Sequence, residues 1–97
     1  MAQEVVWTER ASDDLHNIFE YLSTFSDDHA ETVIAEIIDK AFLLEQFPRL
    51  GRVVPEINVQ ALRELIVQQY RVVYMLNGVE QVEILTIRHS ARPLSEL

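Results

Sequence analysis

Apolar residues in the first half of this chain recur at spacings of three and four, and in the second half they crowd into short runs, so the pattern divides into helices followed by strands. Val5, Val6 and Trp7 form a brief apolar run that predicts a strand over Glu4 to Trp7, with Thr8 behind it placed to cap a helix. Ala11, Leu15, Ile18, Phe19, Leu22 and Phe25 then mark the buried stripe of that helix. Ser26, Asp27 and Asp28 interrupt the stripe with capping oxygens, and Glu31, three residues beyond Asp28, suggests a capping box. Ala30, Val33, Ile34, Ile37, Ile38, Ala41 and Leu44 form a second stripe that stops at Pro48, a helix of about 20 residues and about 30 Å. Two helices joined by so short a connection pack as an antiparallel hairpin.

After Pro48 the period changes. Gly51 and Pro55 punctuate a loop, and three β-rich runs follow: Leu62 to Gln68, Tyr70 to Leu76 and Val82 to Arg88. Asn77-Gly78 between the last two is a strong turn signal, and the tight connections predict an antiparallel meander that the N-terminal strand joins after the helical crossover. The fold class expected is α+β: one domain over 1–97, with the helical hairpin on one face of a four-stranded sheet. Trp7 and Phe47 are expected in the core. The last two strands are apolar on both parities, and two helices cover only one face, so the other needs a lid, a partner, the C-terminal tail or a second copy to cover it.

Ninety-seven residues with 48% hydrophobic and 25% charged side chains describe a single globular domain with one core. No apolar run approaches the roughly 20 residues that span a bilayer, and the start lacks the basic and apolar stretches of a signal peptide, so a cytoplasmic protein without a membrane partner is expected. The absence of cysteine excludes disulfides, thiolate nucleophiles and thiolate metal sites. The net charge of −8 is unevenly distributed: residues 1–48 carry eleven acids against Arg10 and Lys40, a balance of −9, whereas residues 49–97 carry five acids against six arginines. Such a surface repels phosphate backbones and excludes sequence-independent binding to bare nucleic acid through a basic face, while leaving room for a small cationic site in the second half.

The arginines of that half stand inside strand-like runs: Leu62-Arg63-Glu64-Leu65, Tyr70-Arg71-Val72-Val73-Tyr74 and Ile87-Arg88-His89-Ser90-Ala91-Arg92-Pro93. A guanidinium cannot lose its charge, so burying one demands a partner. These runs, with Trp7-Thr8, Asp14-Leu15, Ile18, Phe47-Pro48, Gly51-Arg52 and Pro55-Glu56 in the same order, resemble the RelE/ParE superfamily of type II toxins over nearly the whole chain. The resemblance, closer to the ParE-like branch, implies a plasmid-stabilisation toxin neutralised by a cognate antitoxin, needing no cofactor, with DNA gyrase as the target inhibited by binding. Arg63, Arg71, His89 and Arg92 then form a contact patch. The other branch implies a ribosome-dependent endoribonuclease that cuts messenger RNA, and a homologue that has lost its toxicity is a third reading.

Metal-free RNA cleavage needs a base for the 2′-hydroxyl, cations for the phosphate and an acid for the leaving oxygen. Glu56 is the candidate base, Arg71 and Arg92 the phosphate clamps, and His89 the acid, histidine being the side chain that changes charge near neutral pH. Against that set stand the single lysine, the negative charge and the absence of a tyrosine in the tail, because ribosome-acting relatives are usually basic and often end in an aromatic residue. Each residue also has a structural role open to it. Arg71 can pair with Glu83 or Glu64 across the sheet, Glu56 can be a solvated loop charge, His89 can be a surface histidine, and Arg49 and Arg52 can sit at the dipole end of helix two. His16 and His29 lack a second ligand at metal spacing, so no metal is expected. Register decides the rest: Asn77-Gly78 alone as the loop puts Arg71 and His89 on opposite faces, whereas a three-residue loop or a later bulge puts them on one.

Overall fold

The computed structural model describes residues 3–78 and 80–91; Arg92 lies outside them. Strand β1 (Glu4–Trp7) leads into helix α1 (Glu9–Ser23), which turns back into α2 (Asp27–Phe42) and a 3-10 turn (Leu43–Glu45). Strands β2 (Arg52–Val53), β3 (Leu62–Val67), β4 (Tyr70–Asn77) and β5 (Gln81–His89) follow. The sheet order is β1-β5-β4-β3-β2, with β1 parallel to β5 and the other pairs antiparallel. The α+β architecture and the meander are as expected, and the sheet gains a fifth strand. Arg52 and Val53 pair with Glu64 and Arg63, and a strand of two residues is too short to leave a period in the sequence.

The helix ends follow local chemistry. Thr8 caps α1, its Oγ1 accepting from the Ala11 N–H at 3.1 Å. The cap of α2 is Ser26, the first of the three candidate capping oxygens, which accepts from the His29 N–H at 3.2 Å, so Asp28 lies inside the first turn and does not cap with Glu31. Ala11, Val33, Ile37, Ala41 and Leu44 pack against Leu65, Val67, Tyr70, Val72, Tyr74, Val82, Ile84 and Ile87 of the sheet, with Trp7, Leu15, Ile18 and Leu22 at the margin. Two of the aromatic residues expected inside lie outside this core. Phe25 follows the end of α1 and is 74% exposed against Tyr21, and Phe47, expected inside, is 60% exposed because it follows the 3-10 turn and no longer shares the α2 stripe.

The opposite face of the sheet has its own cover. Val54, Leu62 and Val73 are buried there, with Ile57, Met75 and Leu85 packed on them, so the loop after β2 acts as the lid over that part of the face. The β4–β5 register uses both of the devices weighed above. Asn77 pairs with Gln81, leaving a three-residue loop that starts at Gly78 with φ 68, and a bulge between Val73 and Tyr74 then shifts the ladder again. The two shifts cancel. Arg71 stands opposite Arg88, Tyr70 stands opposite His89, and Arg71 and His89 therefore point to opposite faces.

Candidate functional site

On the face away from the helices, β3 and β4 set Glu64 and Arg71 among apolar neighbours, because Glu64 pairs with Val73 and Arg71 with Ile66 across the ladder. Arg71 Nε donates to Glu64 Oε1 at 2.6 Å, while its Nη1 and Nη2 donate to the two oxygens of Glu56 at 2.7 and 2.8 Å. Glu64 Oε2 accepts from Arg52 Nε at 2.7 Å, which extends the network to the sheet edge. The Glu64 side chain is 0% exposed and that of Arg71 6%, so water screens this chain of alternating charges weakly. The carboxylates, Glu56 foremost, hold the Arg71 guanidinium in its charged form more firmly than usual, against the opposing effect of burial. Among the described residues no buried side-chain nitrogen or oxygen lacks a partner.

Of the six arginines in the second half, Arg71 thus takes the Glu64 pairing that its strand position allows, and Glu56 is tied to it across the loop. Glu83 is instead approached by Asn77, and Arg52 belongs to the network, not to the end of a helix. Arg63 is a brace: its guanidinium donates to the carbonyls of Gly51 and Gln60. Gly51 is required where it stands, since a Cβ there would lie 2.4 Å from the Glu64 carbonyl oxygen. Its N–H donates to the Tyr74 hydroxyl at 2.9 Å, and that hydroxyl donates to the Pro48 carbonyl at 2.8 Å. Burial pushes the Tyr74 hydroxyl up, with the Gly51 N–H opposing it.

The helix-side face carries the other candidate. His89 lies across from Tyr70, their rings edge to face at 5.7 Å. Its Nδ1 accepts from the Ala91 N–H at 3.2 Å, and its Nε2 lies 3.4 Å from Gln69 Oε1. A groove of about 630 Å³ opens beside it, between α1 and the end of β5. Asp14 reaches from α1 to bind Thr86 Oγ1 at 2.5 Å and the Ile87 N–H at 3.1 Å. Arg10, Asn17 and Tyr21 line the same groove, and sequence reasoning passed over them. The available signal was their spacing, since positions 10, 14, 17 and 21 form one stripe on a helix.

The structure therefore brings Glu56 and Arg71 together, sets His89 on the far side of the sheet, and gives Arg63 a backbone-bracing role; Arg92 is outside the described residues. Among the described residues there is no group of three metal-ligating side chains, and no helix is long and apolar enough to cross a membrane.

A hairpin of helices laid over a sheet whose parallel N-terminal strand joins a meander is the architecture of the small toxins of the RelE/ParE superfamily. A chain of the chromosomal ParDE toxin-antitoxin system from P. aeruginosa superimposes with a TM-score of 0.74 at 22% identity, covering 91% of this chain and 96% of the other. A chain of the toxin-antitoxin complex RelBE2 from Mycobacterium tuberculosis gives 0.68 at 22% identity, covering 92% and 99%. Residues 5–94 match the family described as the ParE toxin of type II toxin-antitoxin systems, parDE. Toxin RelE2 of Caulobacter vibrioides is 38% identical over 94 residues, covering 95% of this chain and 99% of that protein. The chain belongs to the ParE toxin family, within the RelE/ParE superfamily.

Proposed function

We propose that this protein is the toxin of a type II pair that acts in the ParE manner, by binding DNA gyrase in the cytoplasm, and that a cognate antitoxin neutralises it. The observation that carries this reading is the division of the candidate nuclease residues. Arg71 has all three of its nitrogens on carboxylates, one of them the candidate base Glu56, and His89 lies on the other face of the sheet with Nδ1 committed to a backbone N–H. A phosphate clamp must offer free donors, and a base, a clamp and an acid must reach one phosphodiester together. The described residues do not converge in that way.

Two observations favour the ribonuclease reading instead: Glu56 and Arg71 sit in contact at a partly open surface, the pairing a base beside a phosphate clamp would show, and a relative carries the RelE2 name. The deciding experiment expresses the chain without its antitoxin and follows supercoiling by gyrase in vitro alongside messenger RNA cleavage at translating ribosomes. The expected outcome is inhibited supercoiling with intact transcripts, weakened in a graded way by His89→Ala. Codon-phased cleavage that Glu56→Gln or His89→Ala lowers by about two orders of magnitude or more, in variants shown to be folded, overturns the proposal in favour of the ribonuclease. No effect in either assay leaves a homologue without toxicity.

A further inference from the structure

Asn77 closes β4, and Gly78 opens the three-residue loop that carries the chain into β5. An Asn-Gly pair usually fills a two-residue turn, where the ladder on either side holds it. Here the loop is longer and the pair straddles the end of the strand. Both residues are exposed, and the Gly78 N–H makes no hydrogen bond among the described residues. A Cβ at Gly78 would meet nothing within 4 Å, so the space about this residue is open. The side-chain amide before it is weakly held, its Nδ2 standing 3.5 Å from Glu83 Oε1, at the limit of a hydrogen bond.

Asparagine is among the chemically labile side chains, and its weakness is attack on the amide carbon by the nitrogen of the next residue. That nitrogen must be free of other bonds and uncrowded. The chain has three asparagines, and two of them fail these conditions. Asn17 lies inside α1, where the N–H of Ile18 belongs to the helical ladder. Asn58 is followed by Val59, whose branched Cβ crowds the backbone beside it. Asn77 alone is followed by a residue without a Cβ.

We propose that Asn77 is a site of spontaneous covalent modification, converting to aspartate and isoaspartate through Gly78, and that the product loosens the end of the sheet where β1, β4 and β5 meet. The Gly78 amide nitrogen gives up its proton to hydroxide and attacks Asn77 Cγ. A C–N bond forms, the Cγ–Nδ2 bond breaks, and Nδ2 takes a proton from water and leaves as ammonia. Water then opens the cyclic imide at either carbonyl, giving aspartate or, with the main chain rerouted through Cγ, isoaspartate. The net change is NH2 for OH, with nothing oxidised or reduced. The new carboxylate faces Glu83 and stands beside Glu80 of the loop, and like charges on facing strands repel. Isoaspartate also lengthens the main chain at the point where Asn77 pairs with Gln81. The start of β1 depends on that point: the Glu4 N–H donates to the Glu80 carbonyl at 2.9 Å, and Gln81 Nε2 donates to Glu4 Oε1 at 3.1 Å. Arg71 and His89 lie at the other end of the β4–β5 ladder, so the modification ages the fold without touching them, whatever the toxin's target.

The test incubates the whole folded protein at physiological temperature and mildly alkaline pH, and follows each asparagine by peptide mass mapping and by enzymatic methylation of isoaspartyl carboxylates. The NH2-for-OH exchange is expected at Asn77, with Asn17 and Asn58 unchanged, at a rate that rises with pH because the attacking nitrogen must lose its proton. Asn77→Gln, at an exposed position, is expected to abolish it, and Gly78→Ala, in a variant shown to be folded by circular dichroism, to slow it at least about tenfold. The modified chain, separated by its added negative charge, should unfold at lower urea concentration than the parent. Its Glu4 amide should exchange hydrogen faster, while the Ile87 amide, held by Asp14, keeps its protection. Retention of Asn77 in the folded chain while the urea-unfolded chain converts overturns the proposal, since the hairpin then protects the bond. So does conversion spread evenly over the three asparagines, no conversion in either state, or a modified chain whose urea midpoint and Glu4 exchange match those of the parent.

Discussion

Glu64 stands fully out of water between two guanidinium groups, with Arg71 Nε at 2.6 Å and Arg52 Nε at 2.7 Å, so its removal leaves the Nε of buried Arg71 without an acceptor and only the partly exposed Glu56 to balance its charge. Breaking such a pair from one side costs about 3–5 kcal/mol, whereas replacing both partners with apolar residues of similar volume is often neutral. Because Glu56 still holds Arg71, Glu64→Ala is expected to lower the unfolding free energy in urea by about 3 kcal/mol, the lower end of that range, and Glu64→Leu combined with Arg71→Met to recover most of the loss. If the double variant is as unstable as the single one, the network contributes more than charge compensation. At the same scale, Tyr70 carries a hydroxyl pushed up by burial and then by the negative charge that Tyr21 can acquire, from an ordinary value of 10.0. The unfolded chain releases this proton near pH 10 and the folded chain only above it, so the contribution is complete below that point and is lost as pH rises toward the folded value. Tyr70→Phe should flatten the decline of stability above about pH 10 in thermal melts.

Among the elements, the junction of β1, α1 and β5 depends on one side chain. Thr8 Oγ1 accepts from the Ala11 N–H at 3.1 Å and approaches the carbonyls of Ile84 and Leu85 at 2.8 and 3.0 Å, so it caps the helix and fastens it to the bulged strand at once. Loss of an N-cap hydroxyl costs about 0.5–2 kcal/mol, and the upper part of that range is expected for Thr8→Ala by urea unfolding, with Thr8→Ser retaining most of the stability. Leu85, next to the bulge, matters in another way. The loop of three residues alone would put His89 beside Arg71, and the bulge moves it to the helix side, where it meets Tyr70 and borders the groove. Two insertions of one residue each thereby decide which side chains can share a chemistry.

For the whole molecule, the balance of −9 over residues 1–48 falls on β1, the helical hairpin and its 3-10 turn, while Phe42, Phe47 and Leu50 stand exposed at the end of the hairpin. A surface both acidic and apolar suits a partner segment of basic or mixed charge. Antitoxin affinity measured by calorimetry should then weaken between about 0.1 M and about 1 M salt, over which the screening length falls from about 10 Å to about 3 Å. A Kd that stays constant across that range would mean that apolar burial alone holds the complex.

Local pattern was enough for the element order, the helical hairpin, the strand at Glu4 to Trp7, the Thr8 cap and the meander, because apolar periodicity and capping act within a few residues of chain. The pairing of Arg71 with Glu64 was also within reach, since a guanidinium in an apolar strand needs a nearby acid. What the linear pattern left open were matters of register and of long-range approach: the two-residue β2, the cancelling shifts of loop and bulge, the exposure of Phe47, and the return of Glu56 across the loop to Arg71. Side-chain direction in a strand reverses with every residue, so a single insertion inverts the answer while hardly changing the composition that precedes it. Tertiary structure alone decided that the candidate base and clamp hold each other on one face while His89 borders a groove on the other, because that outcome depends on where the strands pair and not on which residues they contain.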